Sequence, residues 1–260
     1  MPQASETSAL ARLSRVNLVR YLPQLIILAL LGLAWSLYGA LTGGSFLLPR
    51  PDEVVEVLGA DFAKIFESIG ASGLLLGLSS LIALVLGVLM GMLCGQFERL
   101  KGAVLPIARV LAPIPSLIYA PYAVAIVGDF FWAAVFVIAS GLFWPVLFNT
   151  VNAIEDISDE LINSARTLNL PTRTMFAWVM LPHCLPYLFN TLSVQVSNAF
   201  LLLVGAEMMG MRSGVGWYVK YWADYSNFTT VFAGIVVIAV IVFVVNILLE
   251  KFRDRVLSWK

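Results

Sequence analysis

FFWAAVFVIASGLFWPVLF, residues 130–148, carries no charged side chain. A bilayer core about 30 Å thick is crossed by roughly 20 apolar residues in α-helical form. The stretch has that length, and it lacks the in–out alternation of a barrel strand. A soluble core could absorb one or two such runs. Working outward from it, comparable runs recur at Tyr21–Leu41, Ile69–Gly95, Val104–Val127, Cys184–Ala206 and Thr230–Leu249. With Phe130–Thr150 they make six. The 260 residues are 60% hydrophobic and 12% charged, where a soluble domain is about a quarter charged. Mean hydropathy is +0.90. The fold class expected is all-α, a polytopic membrane protein of about six transmembrane helices.

Loop charges set the expected orientation. With the N-terminus inside, the inner segments hold Arg12, Arg15, Arg20, Arg99, Lys101, Arg166, Arg173, Lys251, Arg253, Arg255 and Lys260, and the outer ones only Arg50, Lys64, Arg212 and Lys220. Both termini are then cytoplasmic. Residues 1–20 form a cytoplasmic tail and 21–260 a single transmembrane domain. The first run is too long for a cleavable signal and reads as an anchor.

Segment 50–68, RPDEVVEVLGADFAKIFES, reads as an amphipathic helix at the outer interface. Pro51 suits a first turn, Asp52 and Glu53 face the positive end of the helix dipole, and Val54, Val55, Leu58, Phe62, Ile65 and Phe66 share a face. Gly128-Asp129 joins the third and fourth spans as a tight hairpin.

With a net charge of zero, nothing argues for nucleic acid as a partner, and none is expected. Cys94 and Cys184 read as buried thiols, and His183 alone builds no zinc site. His183 and Cys184 as a base–nucleophile pair would point about 100° apart on a helix. An intramembrane enzyme is therefore disfavoured.

The inner connection 151–183 interrupts this oiliness with NSARTLNLPTRTMFAWVMLP, residues 163–182. Ser158 is placed to cap a short helix with Asp159 and Glu160 in its first turn. Leu161, Ala165 and Leu168 make a narrow apolar stripe. Pro171 ends this helix near Leu170, Thr172 caps the next, and Leu181-Pro182 marks a break before the fifth span. On pattern alone the segment is either a solvated loop helix or a docking element.

The segment resembles the EAA loop of bacterial ABC importer permeases, EAA-x3-G-x9-I-x-LP. Here the positions read Asn163-Ser164-Ala165, then Asn169, then Val179-x-Leu181-Pro182. The spacing fits throughout, with Asn163 for Glu, Ser164 for Ala and Asn169 for Gly. Asn tolerates the left-handed conformation that Gly would supply. FLLPRPDEVVEVL, LAPIPSLIYAPYAV, FNTVNAIEDISDELINSARTL and VGAEMMGMRSGVGW resemble further family stretches in order, over about residues 46–258. The nitrate/sulfonate/taurine-type branch is the nearest in pattern. IVGDF departs from the family's WFG-x-G.

The resemblance implies a type I importer permease fold in the bacterial inner membrane, working as the permease subunit of an ATP-driven importer of a small solute, with a small anion such as a sulfonate, taurine or nitrate favoured. It implies a second permease copy, a cytoplasmic ABC ATPase dimer and an extracytoplasmic solute-binding protein. The ATPase would receive Glu160, Leu161, Asn163, Ser164, Ala165, Leu168, Asn169, Leu181 and Pro182. No GxxxxGK[ST] pattern occurs, so ATP and Mg belong to that partner and this chain holds no cofactor and no catalytic site.

Thr191, Gln195 and Asn198 recur on one face of the fifth span. They line either an aqueous path or interhelical contacts. Pro113, Pro115 and Pro121 interrupt the third span near Ser116, Tyr119 and Tyr122, which are assigned to the same path. Gly87, Gly91 and Gly95 form a packing ridge within the subunit or a dimer seam. Glu207, at the outer end of the fifth span, is either an outer gate and receptor-docking group or a carboxylate snorkelling to the interface. An ion-coupled secondary transporter is the competing reading, and the absence of a central acid in the six spans counts against it.

Overall fold

In the computed structural model, residues 23, 26–27, 29–43 and 48–257 are described. The tail 1–20 and part of the first predicted span lie outside them. Every regular element among the described residues is helical: α1 (Ala29–Thr42), α2 (Pro51–Ala60), α3 (Phe62–Gln96), α4 (Glu98–Leu111), a 3₁₀ turn (Ser116–Tyr119), α5 (Ala120–Val127), α6 (Phe130–Glu155), α7 (Asp159–Thr167), α8 (Thr172–Met175), a π turn (Phe176–Met180), α9 (Leu181–Met208), α10 (Val215–Asp224) and α11 (Phe228–Val256).

Among the described residues, α3, α6, α11 and the continuous stretch Arg173–Met208 are each long and apolar enough to cross a membrane. The third predicted span is a broken one. Glu98–Leu111 and Ser116–Val127 meet at 80°. Pro113 and Pro115 supply no N–H, so the helical ladder stops there. Pro121 instead sits in the first turn of α5, where no donor is needed. The hairpin at Gly128-Asp129 is as expected. Gly128 ends α5 with φ 74°, and the Asp129 carboxylate accepts from the Trp132 amide.

The amphipathic segment is divided. The helix is Pro51–Ala60, and Phe62 onward is already the 35-residue α3. Val54 and Ile65 are buried, while Val55, Phe62 and Phe66 are exposed, so the six apolar residues do not share one face. The turn at Asp61 resets the helical phase between the two groups.

α6 is the central rod. Gly87, Gly91 and Gly95 of α3 lie flat against it. A Cβ on Gly87 would stand 2.7 Å from Val146, one on Gly91 2.5 Å from Thr150 and one on Gly95 2.6 Å from Ile154. The ridge is thus an internal seam of the subunit. Gly73 and Gly77 have nothing within 4 Å of such an atom. Toward the α10 end, Leu75, Ile138, Leu142 and Leu203 form one core; toward the α7 end, Met92, Ile154, Met180 and Cys184 form another. Both cysteines are fully buried, as expected.

Candidate functional site

α9 has 28 residues, about 42 Å at 1.5 Å per residue. It therefore separates two functional ends, one at α7 and one at α10.

At the first end, Ser158 caps α7 as expected, with its Oγ 3.4 Å from the Leu161 amide. The helix stops at Thr167. Asn169 then adopts φ 49°, and the Leu170 amide reaches back to the Ala165 carbonyl at 3.3 Å. That is the bond of a Schellman ending, with Asn in the position usually given to Gly. Beneath α7, Ile157 and Ile162 pack into the cluster of Ile154, Met180 and Cys184, and Ala165 is buried. Tyr187 of α9 donates its hydroxyl to Asp156, and Lys101 of α4 pairs with Glu155. These two contacts fix the end of α6, from which α7 departs.

The stripe Leu161–Ala165–Leu168 is not a single outward face. Ala165 is 5% exposed, whereas Leu161 is 46% and Leu168 72% exposed. On so short a helix the small residue turns toward its own bundle and the two leucines flank it. Glu160, Asn163, Ser164 and Asn169 are exposed. Leu181-Pro182 does not break the chain either. Helix continues from Arg173 through Met208, and the irregularity lies one turn earlier, where the Leu181 amide bonds the Phe176 carbonyl. The wider π turn accommodates Pro182, whose ring and missing N–H would spoil an ordinary turn. Thr172 begins α8 rather than preceding it.

The residues assigned to a path do not converge within one chain. Thr191 and Gln195 line a cavity of about 340 Å³ with Ser80 and a surround of Leu, Val, Ala and Phe side chains. Thr191 Oγ1 is spent on the Tyr187 carbonyl at 2.8 Å. Asn198 is exposed between Val194 (72%) and Leu201 (62%), and bonds only Gln195, at 3.1 Å. Ser116 is buried, Tyr119 shares a hydrogen bond with Ser140, and Tyr122 is 73% exposed. The break at Pro113–Pro115 rotates the following turn, which sends these three side chains in different directions.

At the other end Glu207 is 1% exposed. It neither snorkels nor offers itself to a docking protein. Its carboxylate accepts from Ser72 Oγ at 2.6 Å and from the Gly216 amide at 2.6 Å, and Ser72 Oγ accepts from the Val215 amide at 2.8 Å. One carboxylate thus clamps α3, α9 and the start of α10 together. Gly214 (φ 110°) and Gly216 leave it room. A Cβ on Gly214 would collide with the carboxylate, and one on Gly216 would stand 2.8 Å from the Val204 carbonyl. Above the clamp, Tyr218 donates to Asp61 at 2.9 Å. Burial, then this bond, push the Tyr218 phenol well above its usual range.

Residues 83–258 match the family described as the binding-protein-dependent transport system inner membrane component. The chain belongs to this family. The permease is 30% identical over 194 residues to the nitrate import permease protein NrtB of Leptolyngbya laminosa, which covers 74% of this chain and 69% of that one. It is 29% identical to the putative aliphatic sulfonates transport permease protein SsuC of Bacillus subtilis (87% and 83%). It is 26% identical to the taurine transport system permease protein TauC of Escherichia coli (82% and 80%). Its fold is shared with a chain of the MetNI methionine ABC transporter in an inward-facing conformation, with a TM-score of 0.63 and 20% identity over 76% of this chain and 96% of that chain.

Sequence reasoning about the permease missed Ser72, Gly214, Gly216 and the helix α10. A signal existed for the serine. Ser68, Ser72 and Ser79 recur at helical spacing in a largely apolar helix, and all three are buried. α10 is shorter than a span and begins directly after two glycine turns, so periodicity alone did not separate it from a loop.

Proposed function

We propose that this permease is the membrane-spanning subunit of an ATP-driven importer for a small anion of the nitrate, sulfonate or taurine kind, in which α7 receives the stroke of a separate ATPase dimer. One observation carries the reading. Leu161 on α7 and Leu168 just past its end stand exposed, while Ala165 is buried and Ile157 and Ile162 pack into the bundle. Two exposed apolar side chains suit a groove on a soluble partner. A rigidly mounted helix can pass displacement into α9 through the π turn. ATP and Mg²⁺ are bound by the partner, and the permease contributes movement rather than chemistry. A second copy supports the path. Exposed Tyr122 and Asn198 are polar groups on an apolar surface, which a facing copy would enclose. A binding protein delivers solute at the α10 end, and that end faces outward.

The test is the double variant Leu161→Asp/Leu168→Asp, expressed with the ATPase and binding protein. It is expected to retain the thermal stability of the parent, because neither leucine is buried, while losing ATPase co-purification and ATP-driven uptake. Retention of both would remove α7 as the docking element. Uptake driven by a proton gradient without ATP would transfer the protein to the ion-coupled carriers.

A further inference from the structure

An open groove of about 700 Å³ runs between α3 and the stretch that leads from α8 into α9. Leu84, Leu89 and Leu93 of α3 form one wall, and Phe176, Leu181 and Leu185 the other. Both walls belong to helices long and apolar enough to cross a membrane. From Leu84 to Leu93 the groove follows α3 for about 14 Å at 1.5 Å per residue, close to one leaflet of a bilayer core about 30 Å thick. Its floor is the α7-end core, to which Val88, Met92 and Leu188 belong.

Every described residue of the lining is apolar except Arg173, at the α7 end. Arg173 is exposed and takes part in no ion pair among the described residues. An arginine lays its aliphatic stem along such a wall and lifts its guanidinium to the watery edge. Trp178, five residues on, is 78% exposed, and tryptophan favours the boundary between hydrocarbon and water. The groove therefore has one leaflet's depth of hydrocarbon wall and an unmatched cation at its rim.

A second copy of the permease is not the occupant that fits. In the importer reading that copy encloses Asn198, between Val194 and Leu201. These two follow Leu185 by nine and sixteen residues, which at 3.6 residues per turn places them about half a turn around α9 from the groove. The groove side is left to lipid. A phosphodiester suits the planar donor fork of arginine. A zwitterionic headgroup would bring an ammonium to a site that already holds a guanidinium, whereas an anionic headgroup brings none.

We propose that this groove binds one anionic phospholipid of the leaflet at the α7 end, an acyl chain lying between α3 and α9 and the phosphate on Arg173. Basic residues beside grooves between membrane helices select anionic headgroups in this way. The proposal takes only the position of the second copy from the importer reading.

The permease–ATPase complex is purified in detergent, stripped of native lipid and titrated with dioleoylphosphatidylglycerol or dioleoylphosphatidylethanolamine, and the first bound lipid is quantified by native mass spectrometry. Phosphatidylglycerol is expected to bind roughly tenfold more tightly, the scale of one charge-assisted hydrogen bond. Arg173→Gln is expected to bring the two lipids within about twofold of each other. Ala177→Trp, which fills the groove from an exposed position, is expected to weaken both. Retained thermal stability and ATPase association report that the variants are folded; should Ala177→Trp unfold, the Arg173→Gln comparison decides alone. A preference that survives Arg173→Gln, or parental lipid binding by folded Ala177→Trp, overturns the proposal. So does an equal loss of preference in Arg50→Gln, whose arginine lies outside the groove, because the effect would then be one of diffuse charge. Separation of the permease pair by Ala177→Trp with lipid binding intact assigns the groove to a facing copy and overturns it as well. The importer reading fails by a different result, loss of ATPase association from the parent complex.

Discussion

Removing the Glu207 side chain should open one end of this protein without loosening the rest. In Glu207→Ala the Gly216 amide loses its acceptor in a place water does not reach, and the Ser72 hydroxyl loses its own. A buried donor left unmatched costs about 1–3 kcal/mol. Two such donors give about 2–6 kcal/mol, and release of a desolvated carboxylate offsets part of this. A net of about 2–4 kcal/mol favours the opened loop, roughly 30- to 1,000-fold in its population at 1.4 kcal/mol per decade. Glu207→Gln should lose far less. Its carbonyl can still accept from Gly216 while its amide donates to Ser72 Oγ, and the displaced Ser72 proton can turn to the carbonyl one helical turn back. Hydrogen–deuterium exchange followed by mass spectrometry reads the difference directly. Peptides covering residues 209–224 should exchange roughly 30- to 1,000-fold faster in Glu207→Ala and within about tenfold of the parent in Glu207→Gln. Peptides from α6, which gives the carboxylate no hydrogen bond among the described residues, should be unchanged. If residues 209–224 exchange in Glu207→Ala as they do in the parent, the clamp is not what holds α10, and the reasoning from buried donors is refuted.

The glycine ridge makes a paired prediction. Gly91→Ala, whose new Cβ meets Thr150 at 2.5 Å, should destabilise the α3–α6 seam by about 1–3 kcal/mol in detergent thermal unfolding. Gly73→Ala meets nothing within 4 Å and should be neutral or slightly stabilising. Asn169 gives a second contrast. Asn169→Gly should hold the left-handed turn after α7 without penalty, while Asn169→Val should cost about 1–2 kcal/mol and raise proteolysis near residue 169.

Much was legible beforehand because hydrophobic length and local backbone chemistry are properties of short segments. The four long apolar runs, the hairpin at Gly128-Asp129, the cap at Ser158 and the left-handed tolerance of Asn169 each depend on a few neighbouring residues, and the structure agrees with them. The same locality explains the misreadings. Leu161, Ala165 and Leu168 share a stripe on paper, yet which member is buried depends on where the other helices lie. Leu181-Pro182 looked like a break because proline spoils an ordinary turn, but a π turn upstream absorbs it.

By itself the sequence determined that the chain is a set of apolar rods interrupted by one polar helical segment, because transfer into a bilayer is decided by composition along each run. Only tertiary structure decided what Glu207 does. A carboxylate at the end of a helix is equally suited to water or to burial until something supplies donors. Ser72, 135 residues away in sequence, and the amide of Gly216 supply them, and that meeting is a fact of packing rather than of pattern.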